Sequence, residues 1–345
     1  TLATSLVAPP LTAAPAWLCG LTLGWLQAIV RGAHELGVGR LFTPSPPLVG
    51  VVLAYLAVGL MMVVGVSTAR RLAPWVAMLT LGVGLATFRP PRTGLLEIEV
   101  LAVGHGLSVL IHDADGTAIL YDCGRMGSPW VGRRIIAPAL WERRIRHLAA
   151  VFLSHPDADH YNGLPDLLER FRIGEIRVSA QFSHPSNPGA AAVLDQARAR
   201  GIPIQVVEAG DQWALAGSAQ LRVLAPVKGQ PNSSTTSPSR PSAPPLQDND
   251  QSLVLALESN ERAVLMTGDL EQEGLARLIT THEPRRWDAV LAPHHGGKKS
   301  NPLIFYRWCN PKWVLVSQRP PNAGRSPVTI PAEQATVLRT WQSGA

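Results

Sequence analysis

Residues 148–160 read LAAVFLSHPDADH, and this stretch decides the fold. Its first seven residues are almost uniformly apolar, as expected of a β-strand that is buried on both faces. The six that follow hold four potential metal ligands, which are His155, Asp157, Asp159 and His160. Imidazole nitrogens and carboxylate oxygens suit zinc, manganese and iron. A turn directly after a buried strand projects such side chains into one space, so the stretch predicts a site for two metal ions.

Two further segments place candidate ligands after predicted strands. Asp269 ends the strand RAVLMTGD, where a carboxylate can bridge two metals. His294 and His295 end the strand DAVLAPHH. Taken alone, a strand-end aspartate or a pair of surface histidines indicates little. Together with the H-P-D-A-D-H cluster, these residues predict a metal centre assembled from three strand ends.

Strand and helix patterns alternate around these motifs. We predict strands over 95–103, 108–113, 117–124, 148–154, 173–179, 251–257, 262–268, 288–293 and 313–318, and helices over 163–171, 190–201 and 272–282. The short turns between the first three strands favour an antiparallel start to a sheet. The Pro/Ser/Thr-rich segment 228–247 is predicted to be a disordered insertion, because it cannot bury apolar area.

The composition changes near residue 93. Before it, Glu35 is the only acidic residue. Residues 46–66 and 72–88 carry no charge and approach or reach the length that spans a bilayer, and residues 10–30 are a third candidate. We therefore predict a membrane segment over 1–93 with two or three transmembrane helices. A buried pair of core helices is the alternative.

Arg70 and Arg71 lie between two of these apolar runs. They predict a hairpin turn on the cytoplasmic side, because positive residues favour that side. The part of the chain from residue 94 onward is then expected on the non-cytoplasmic side.

Charge and cysteine content narrow the classes of protein. Lys and Arg outnumber Asp and Glu by 31 to 25, which gives a net charge of +6. That surplus is compatible with a polyanion, with an anionic membrane surface, or with an ordinary solvated basic surface. The three cysteines form no C-x-x-C motif, which argues against thiolate zinc sites and against a disulfide scaffold.

The strand followed by H-P-D-A-D-H, then T-G-D and H-H-G, resembles the metallo-β-lactamase superfamily. Further motifs at 103–106 (V-G-H-G), 122–124 (D-C-G) and 249–255 (N-D-Q-S-L-V-L) resemble the C-terminal hydrolase domain of ComEC-type DNA-internalisation competence proteins. The resemblance implies an α/β fold, a four-layer αββα sandwich over residues 94–345. It also implies transmembrane helices before that domain, at the end of a transport domain.

The sequence departs from the family pattern at several positions. The usual V-G-Q-G-D reads V-G-H-G-L here, so that Leu107 replaces an acidic residue, and Gly297 replaces a serine after the histidine pair. A histidine that many superfamily members place near residues 249–250 is missing, and Asn249 or Asp250 is the candidate replacement. His105, in the altered motif, could reach the site, but we interpret it as an ordinary loop histidine.

The candidate residues receive the following roles. One divalent ion, zinc or manganese, is assigned to His155, Asp157 and Asp269. The other is assigned to Asp159, His160, Asp269 and one of the two adjacent histidines, His295. The remaining one, His294, is the candidate for protonating the leaving group or binding a phosphate oxygen, and Asp159 is counted with it as catalytic. Asp122 is expected to orient a histidine, beside Asn249 and Asp250, while substrate-binding residues are not assigned.

These expectations lead to one principal hypothesis of function. The chain is expected to be a membrane-anchored metal-dependent nuclease or phosphodiesterase that acts on DNA during competence-related uptake. Its expected location is the bacterial inner membrane, with DNA, the membrane and other competence-machinery proteins as partners. The alternatives are a hydrolase of a small phosphodiester or ester, and a non-catalytic component of DNA transport.

Overall fold

The computed structural model describes residues 13–35, 48–63, 66–86, 94–184, 187–227, 248–324 and 326–343. The predicted insertion at 228–247 lies outside the described residues. Among the described residues, the first elements are three helices, namely α1 (Ala13–Glu35), α2 (Leu48–Val63) and α3 (Val66–Ala86). All of the β-strands in the described residues follow them, from residue 97 onward.

Within the described ranges, no helix is both long and apolar enough to cross a membrane. The expected transmembrane helices are therefore not found there. The helix α2 has 16 residues, which is about 24 Å against a hydrocarbon core of about 30 Å. The helix α3 has 21 residues but contains Arg70 and Arg71, which lower its hydropathy. The hairpin turn predicted at these two arginines is wrong, because both lie inside α3.

The first sheet has six strands in the order β1-β2-β3-β4-β5-β6. They are β1 (Glu97–Val100), β2 (Val109–His112), β3 (Ala118–Tyr121), β4 (His147–Leu153), β5 (Arg172–Val178) and β6 (Ile204–Val206). The first three strands pair antiparallel, as the short turns predicted. From β3 to β6 the pairing is parallel, and parallel pairing requires crossover connections. These carry the helices α4 (Ala137–Glu142), α5 (Ala158–Tyr161), α6 (Leu164–Leu168) and α7 (Pro188–Arg198).

The second sheet has seven strands in the order β13-β12-β11-β10-β9-β8-β7. They are β7 (Gln212–Ala214), β8 (Gln220–Ala225), β9 (Val254–Ser259), β10 (Arg262–Met266), β11 (Ala289–Leu291), β12 (Trp313–Val316) and β13 (Thr336–Arg339). Pairing is antiparallel from β7 to β10 and parallel from β10 to β13. The helices α8 (Gln272–Thr281), α9 (Leu303–Cys309) and α10 (Thr340–Ser343) belong to this half.

Alternation along the strands divides the apolar residues between the two faces of each sheet. In β3, Leu120 packs with Leu140 and Leu167 of the helical layer. Its neighbours Ile119 and Tyr121 point the other way, into a core shared with the second sheet.

The second sheet repeats this division. In β10, Leu265 packs with Leu275 and Leu278 of α8, whereas Met266 lies in the core between the sheets. Three cores therefore separate four layers, helix, sheet, sheet and helix, and the predicted αββα sandwich is confirmed.

Candidate metal centre

The candidate ligands meet where strands of the two sheets end. The H-P-D-A-D-H segment follows β4, Asp269 follows β10, and the histidine pair follows β11. In the first group, His155, His160 and Asp269 hold ligand atoms within 4.8 Å of one another. In the second group, the same is true of His105, Asp159 and His295.

Asp269 joins the two groups through its two carboxylate oxygens. Its Oδ1 lies 3.2 Å from Nε2 of His160, and its Oδ2 lies 3.4 Å from Nε2 of His295. A carboxylate that offers one oxygen to each of two groups is suited to bridge two cations.

Four polar atoms at this centre are buried without a hydrogen-bond partner in the part of the chain that the structure describes. They are Nε2 of His155, Nε2 of His160, Nε2 of His295 and Oδ1 of Asp269. Buried polar atoms are usually hydrogen-bonded, and leaving one unpaired costs about 1–3 kcal/mol. Four such atoms converging on one place are what a divalent cation would satisfy, so this donor set fits metal ions.

Hydrogen bonds fix which nitrogen of each ring faces the centre. Asp122 accepts a hydrogen bond from Nδ1 of His160 at 2.7 Å and from Oγ of Ser154 at 2.7 Å. The Ser154 oxygen accepts in turn from Nδ1 of His155 at 2.9 Å. Both Nδ1 atoms therefore carry a proton, so Nε2 is the nitrogen of each ring that can bind a ligand.

The same logic applies to His295. Its Nδ1 donates to the backbone oxygen of Ser317 at 3.0 Å, and its Nε2 points into the centre, 3.4 Å from Oδ2 of Asp159. Neither Ser154 nor Ser317 was singled out from the sequence. Ser154 directly precedes the first ligand, and that position was the available signal.

His294 faces a different direction from its neighbour. Its Nδ1 contacts Oε1 of Glu271, and its Nε2 lies 3.7 Å from Oδ2 of Asp269. The side chain is 36% exposed, and it belongs to neither ligand group. Ser300 donates a hydrogen bond to the same Glu271 oxygen at 3.1 Å. Sequence reasoning missed Glu271, which follows the T-G-D motif by two residues.

Asp157 and the residues near 250 lie at the margin of the centre. The Asp157 side chain is 52% exposed, with Oδ2 3.5 Å from Nε2 of His155. Asp250 accepts a hydrogen bond from the backbone nitrogen of Gly274 at 3.1 Å, so its carboxylate holds the first turn of α8. The backbone oxygen of Asn249 accepts from the nitrogen of Ser252.

Three residues of the centre have strained backbones. Asp122, His294 and His295 have φ values of 58°, 47° and 52°, in the left-handed region that favours glycine. Such strain persists where the surrounding structure enforces it, and it concentrates at functional sites.

Neighbouring aspartates and histidines at the centre shift one another's pKa toward the charged form. Burial disfavours the charged form of Asp159, but contact with His295 and the charge of His160 outweigh it and lower the pKa to about 2. The pKa of Asp269 is also held well below its usual range, because His160 and His295 outweigh its burial. Burial would lower the pKa of His160, yet the carboxylates of Asp269 and Asp122 raise it well above the ordinary value. Asp159 and Asp269 are therefore anionic at neutral pH.

A cleft of about 350 Å³ opens beside the centre. His105, His294 and His295 line it, and Arg319 contributes a positive charge to its wall. Gly297, which stands where the family usually has serine, also lines the cleft.

The sequence profile of the metallo-beta-lactamase superfamily matches residues 101–301. The chain belongs to this superfamily, whose matched region contains both ligand groups. Divalent-metal use is accordingly supported by the family and by the donor set alike.

The similarity to ComEC-type competence proteins is confirmed by two relatives. The "Competence protein ComA" of Neisseria gonorrhoeae is 27% identical over 344 residues, which cover 97% of this chain and 43% of that protein. The "ComE operon protein 3" of Bacillus subtilis is 27% identical over 266 residues, covering 72% of this chain and 32% of that protein. The chain thus spans less than half the length of either relative.

Among solved structures, one similar chain is the metallo-beta-lactamase fold protein YhfI from Bacillus subtilis. The identity is 14% and the TM-score is 0.38, with 65% of this chain and 87% of that chain covered.

Proposed function

We propose that the chain is a metal-dependent phosphodiesterase that acts as a nuclease on DNA during competence-related uptake. The observation that carries the proposal is the pair of ligand groups joined by Asp269 and opening into a cleft with Arg319. The names of the two competence relatives support the link to DNA uptake.

In this proposal, one metal ion is held by His155, His160 and Asp269, and the other by Asp159, His295 and Asp269. This division differs from the expected one, in which His160 was grouped with Asp159 and Asp157 was a ligand. Two bound divalent ions would withdraw electrons from a phosphoryl oxygen and make a water molecule more acidic. Zinc and manganese both suit this mixture of nitrogen and oxygen donors.

His294 is placed to handle the proton of the leaving group. Its Nδ1 is held by Glu271, and its side chain reaches the cleft. A carboxylate on one nitrogen orients the ring, so the other nitrogen can face a departing oxygen and donate a proton to it. Asp159 acts beside it by holding the metal and aligning His295.

Arg319 is the candidate for binding a phosphate of the substrate. Its planar guanidinium matches the geometry of a phosphate and can donate two hydrogen bonds to it. A nuclease that accepts any sequence contacts phosphates instead of base edges, and one arginine at the wall of the cleft is consistent with that requirement.

The test uses the full chain, loaded with manganese or zinc, on single-stranded DNA, double-stranded DNA and bis(p-nitrophenyl) phosphate. We expect cleavage of DNA that a chelator abolishes and added metal restores. The variant Arg319→Gln separates substrate binding from metal binding: it should weaken substrate binding and leave metal content unchanged. Metal-loaded protein that cleaves none of the three substrates would overturn the proposal and favour a non-catalytic role in DNA transport.

A second candidate function is hydrolysis of a small phosphodiester or ester. The cleft volume favours it, since about 300–1,000 Å³ is typical of small-molecule sites. Cleavage of bis(p-nitrophenyl) phosphate without any cleavage of DNA would select this candidate.

We also propose that the chain acts at the bacterial inner membrane, together with other competence-machinery proteins. The first three helices expose large apolar side chains, including Trp17 (69%), Tyr55 (77%) and Trp75 (65%), which need a covering surface. The similarity to the Neisseria protein extends over this part of the chain. We place the hydrolase domain on the non-cytoplasmic side because a nuclease that acts during uptake would meet incoming DNA there; Arg70 and Arg71 do not support this side, since both lie inside α3. Reporter fusions after residue 95 test the placement. A cytoplasmic signal would contradict it.

A further inference from the structure

The second ligand group includes a residue that the motifs do not assign to metal binding. His105 lies in the loop between β1 and β2, far in sequence from the other two members. Its ligand atom is nevertheless within 4.8 Å of those of Asp159 and His295. The rings of His105 and His295 are 4.6 Å apart at their centroids and tilted by 47°.

Backbone hydrogen bonds hold this loop in place on both sides of His105. The nitrogen of Met126 donates to the backbone oxygen of His105 at 2.7 Å. Two residues further along, the nitrogen of Leu107 donates to the backbone oxygen of Asp159 at 3.3 Å. The loop is thus tied directly to the residue whose carboxylate belongs to the same group.

The loop packs closely against neighbouring backbone at Gly106, which fixes its position. Its φ is +145°, and a Cβ built there would lie 2.4 Å from the backbone oxygen of Gly124 and 2.8 Å from that of Asp159. Its own oxygen accepts a hydrogen bond from Oγ of Ser317 at 2.6 Å. Because the Ser317 backbone also holds Nδ1 of His295, one residue positions both histidines.

The donor count shows why an extra imidazole matters here. The superfamily histidine near residues 249–250 is absent from this sequence, and Asp250 is committed to the first turn of α8. Without His105, the second group would hold only Asp159, His295 and the shared Asp269. The buried Nε2 of His295 has no hydrogen-bond partner among the described residues, and it points to the place that His105 also reaches.

We propose that His105 is an additional metal-binding residue, which completes a four-donor site with Asp159, His295 and Asp269. The inference rests on the metal-dependent function proposed above and specifies its second cation site. Its substitution for the glutamine of V-G-Q-G exchanges an amide for an imidazole. A second imidazole favours zinc or cobalt at this site over the harder manganese ion.

The test titrates the chelator-stripped full chain with Co²⁺ and Zn²⁺, following cobalt absorption and heat of binding. The variants are His105→Gln, which restores the usual family residue, and His105→Ala. His147→Gln is the matched control, because His147 is an exposed histidine at the start of β4. Melting followed by circular dichroism establishes that each variant is folded.

We expect two equivalents in the wild type and in the control. In both His105 variants, the first equivalent should bind as before, while affinity for the second falls by at least about 10-fold, since even losing a group that only orients a ligand costs about 10–100-fold. The cobalt spectrum of the second equivalent should change as well. Wild-type affinity for both equivalents in His105→Gln would overturn the inference, as would a wild type that binds a single equivalent. Two equivalents with no hydrolysis would instead contradict the proposed function and leave His105 as a ligand.

Discussion

Asp122 and Asp269 occupy corresponding places in the two sheets but have opposite surroundings. Asp122 follows β3, and Asp269 follows β10. Each of these strands pairs antiparallel with the strand before it and parallel with the strand after it. His160 lies between the two carboxylates, with Nδ1 bonded to Asp122 and Nε2 next to Asp269.

The difference lies in what each carboxylate accepts. Both oxygens of Asp122 take hydrogen bonds, from the nitrogen and Oγ of Ser154 and from His160. Asp269 keeps an oxygen without such a bond within the described residues. An aspartate after the corresponding strand therefore orients a ring in one half of the fold, while in the other half it is free to bind a cation. Asp122 faces Nδ1 of His160 and orients the ring, whereas Asp269 faces Nε2, the nitrogen that can bind a cation.

The largest expected effect is that of Asp269→Ala, because this residue belongs to both halves of the proposed site. We expect loss of both metal equivalents and a fall in phosphodiester hydrolysis of roughly 10³-fold or more, at the upper end of what one strong stabiliser contributes. Elemental analysis and a hydrolysis assay measure the two quantities. If Asp269→Ala still bound two equivalents of metal, Asp269 would not bridge the two ions, and its role would no longer differ from that of Asp122.

Asp159→Ala should lower activity nearly as much, but it should remove only one of the two metal ions. One equivalent should remain, in the group of His155 and His160, while hydrolysis falls by about 10²-fold or more. Metal titration distinguishes this outcome from that of Asp269→Ala. Equal metal loss in both variants would mean that the two ligand groups are not separate sites.

Asp122→Asn should have a smaller effect, because the residue acts through the rings that it orients. The amide retains one acceptor oxygen but turns a donor toward Ser154 or His160, so the tautomers are no longer secured. We expect metal affinity or activity to fall by about 10–100-fold, with the melting temperature nearly unchanged. A loss as deep as that of Asp269→Ala would show that Asp122 itself binds a cation.

Asp250→Ala serves as the negative comparison. Its hydrogen bond to the first turn of α8 should be worth about 1 kcal/mol of folding stability, measured by denaturant unfolding. Metal content should stay at two equivalents. Loss of one equivalent would place Asp250 in the centre, in the role of the missing superfamily histidine.

Local signals in the sequence were sufficient for most of the fold. Apolar runs and short turns mark five of the six strands of the first sheet, β1 to β5, and the structure has a strand at each of these places. Four strands escaped prediction, namely β6, β7, β8 and β13. β6 and β7 have only three residues each, and β13 alternates between exposed and half-buried positions at the edge of a sheet. The helical region was harder, because two arginines between apolar runs predicted a turn, whereas the structure continues α3 through Arg70 and Arg71.

The sequence by itself determined which residues converge: H-P-D-A-D-H, T-G-D and H-H-G each follow a strand, and strand ends of such sheets meet at one edge. The sequence could not determine how these residues divide into two ligand groups. His160 was expected beside Asp159, yet the structure groups it with His155, because Asp122 orients the His160 ring directly and the His155 ring through Ser154. His105 looked like an ordinary loop residue, since its reach depends on Ser317, 212 positions further along the chain. Such contacts arise only when the two sheets pack face to face, so the tertiary structure alone decided them.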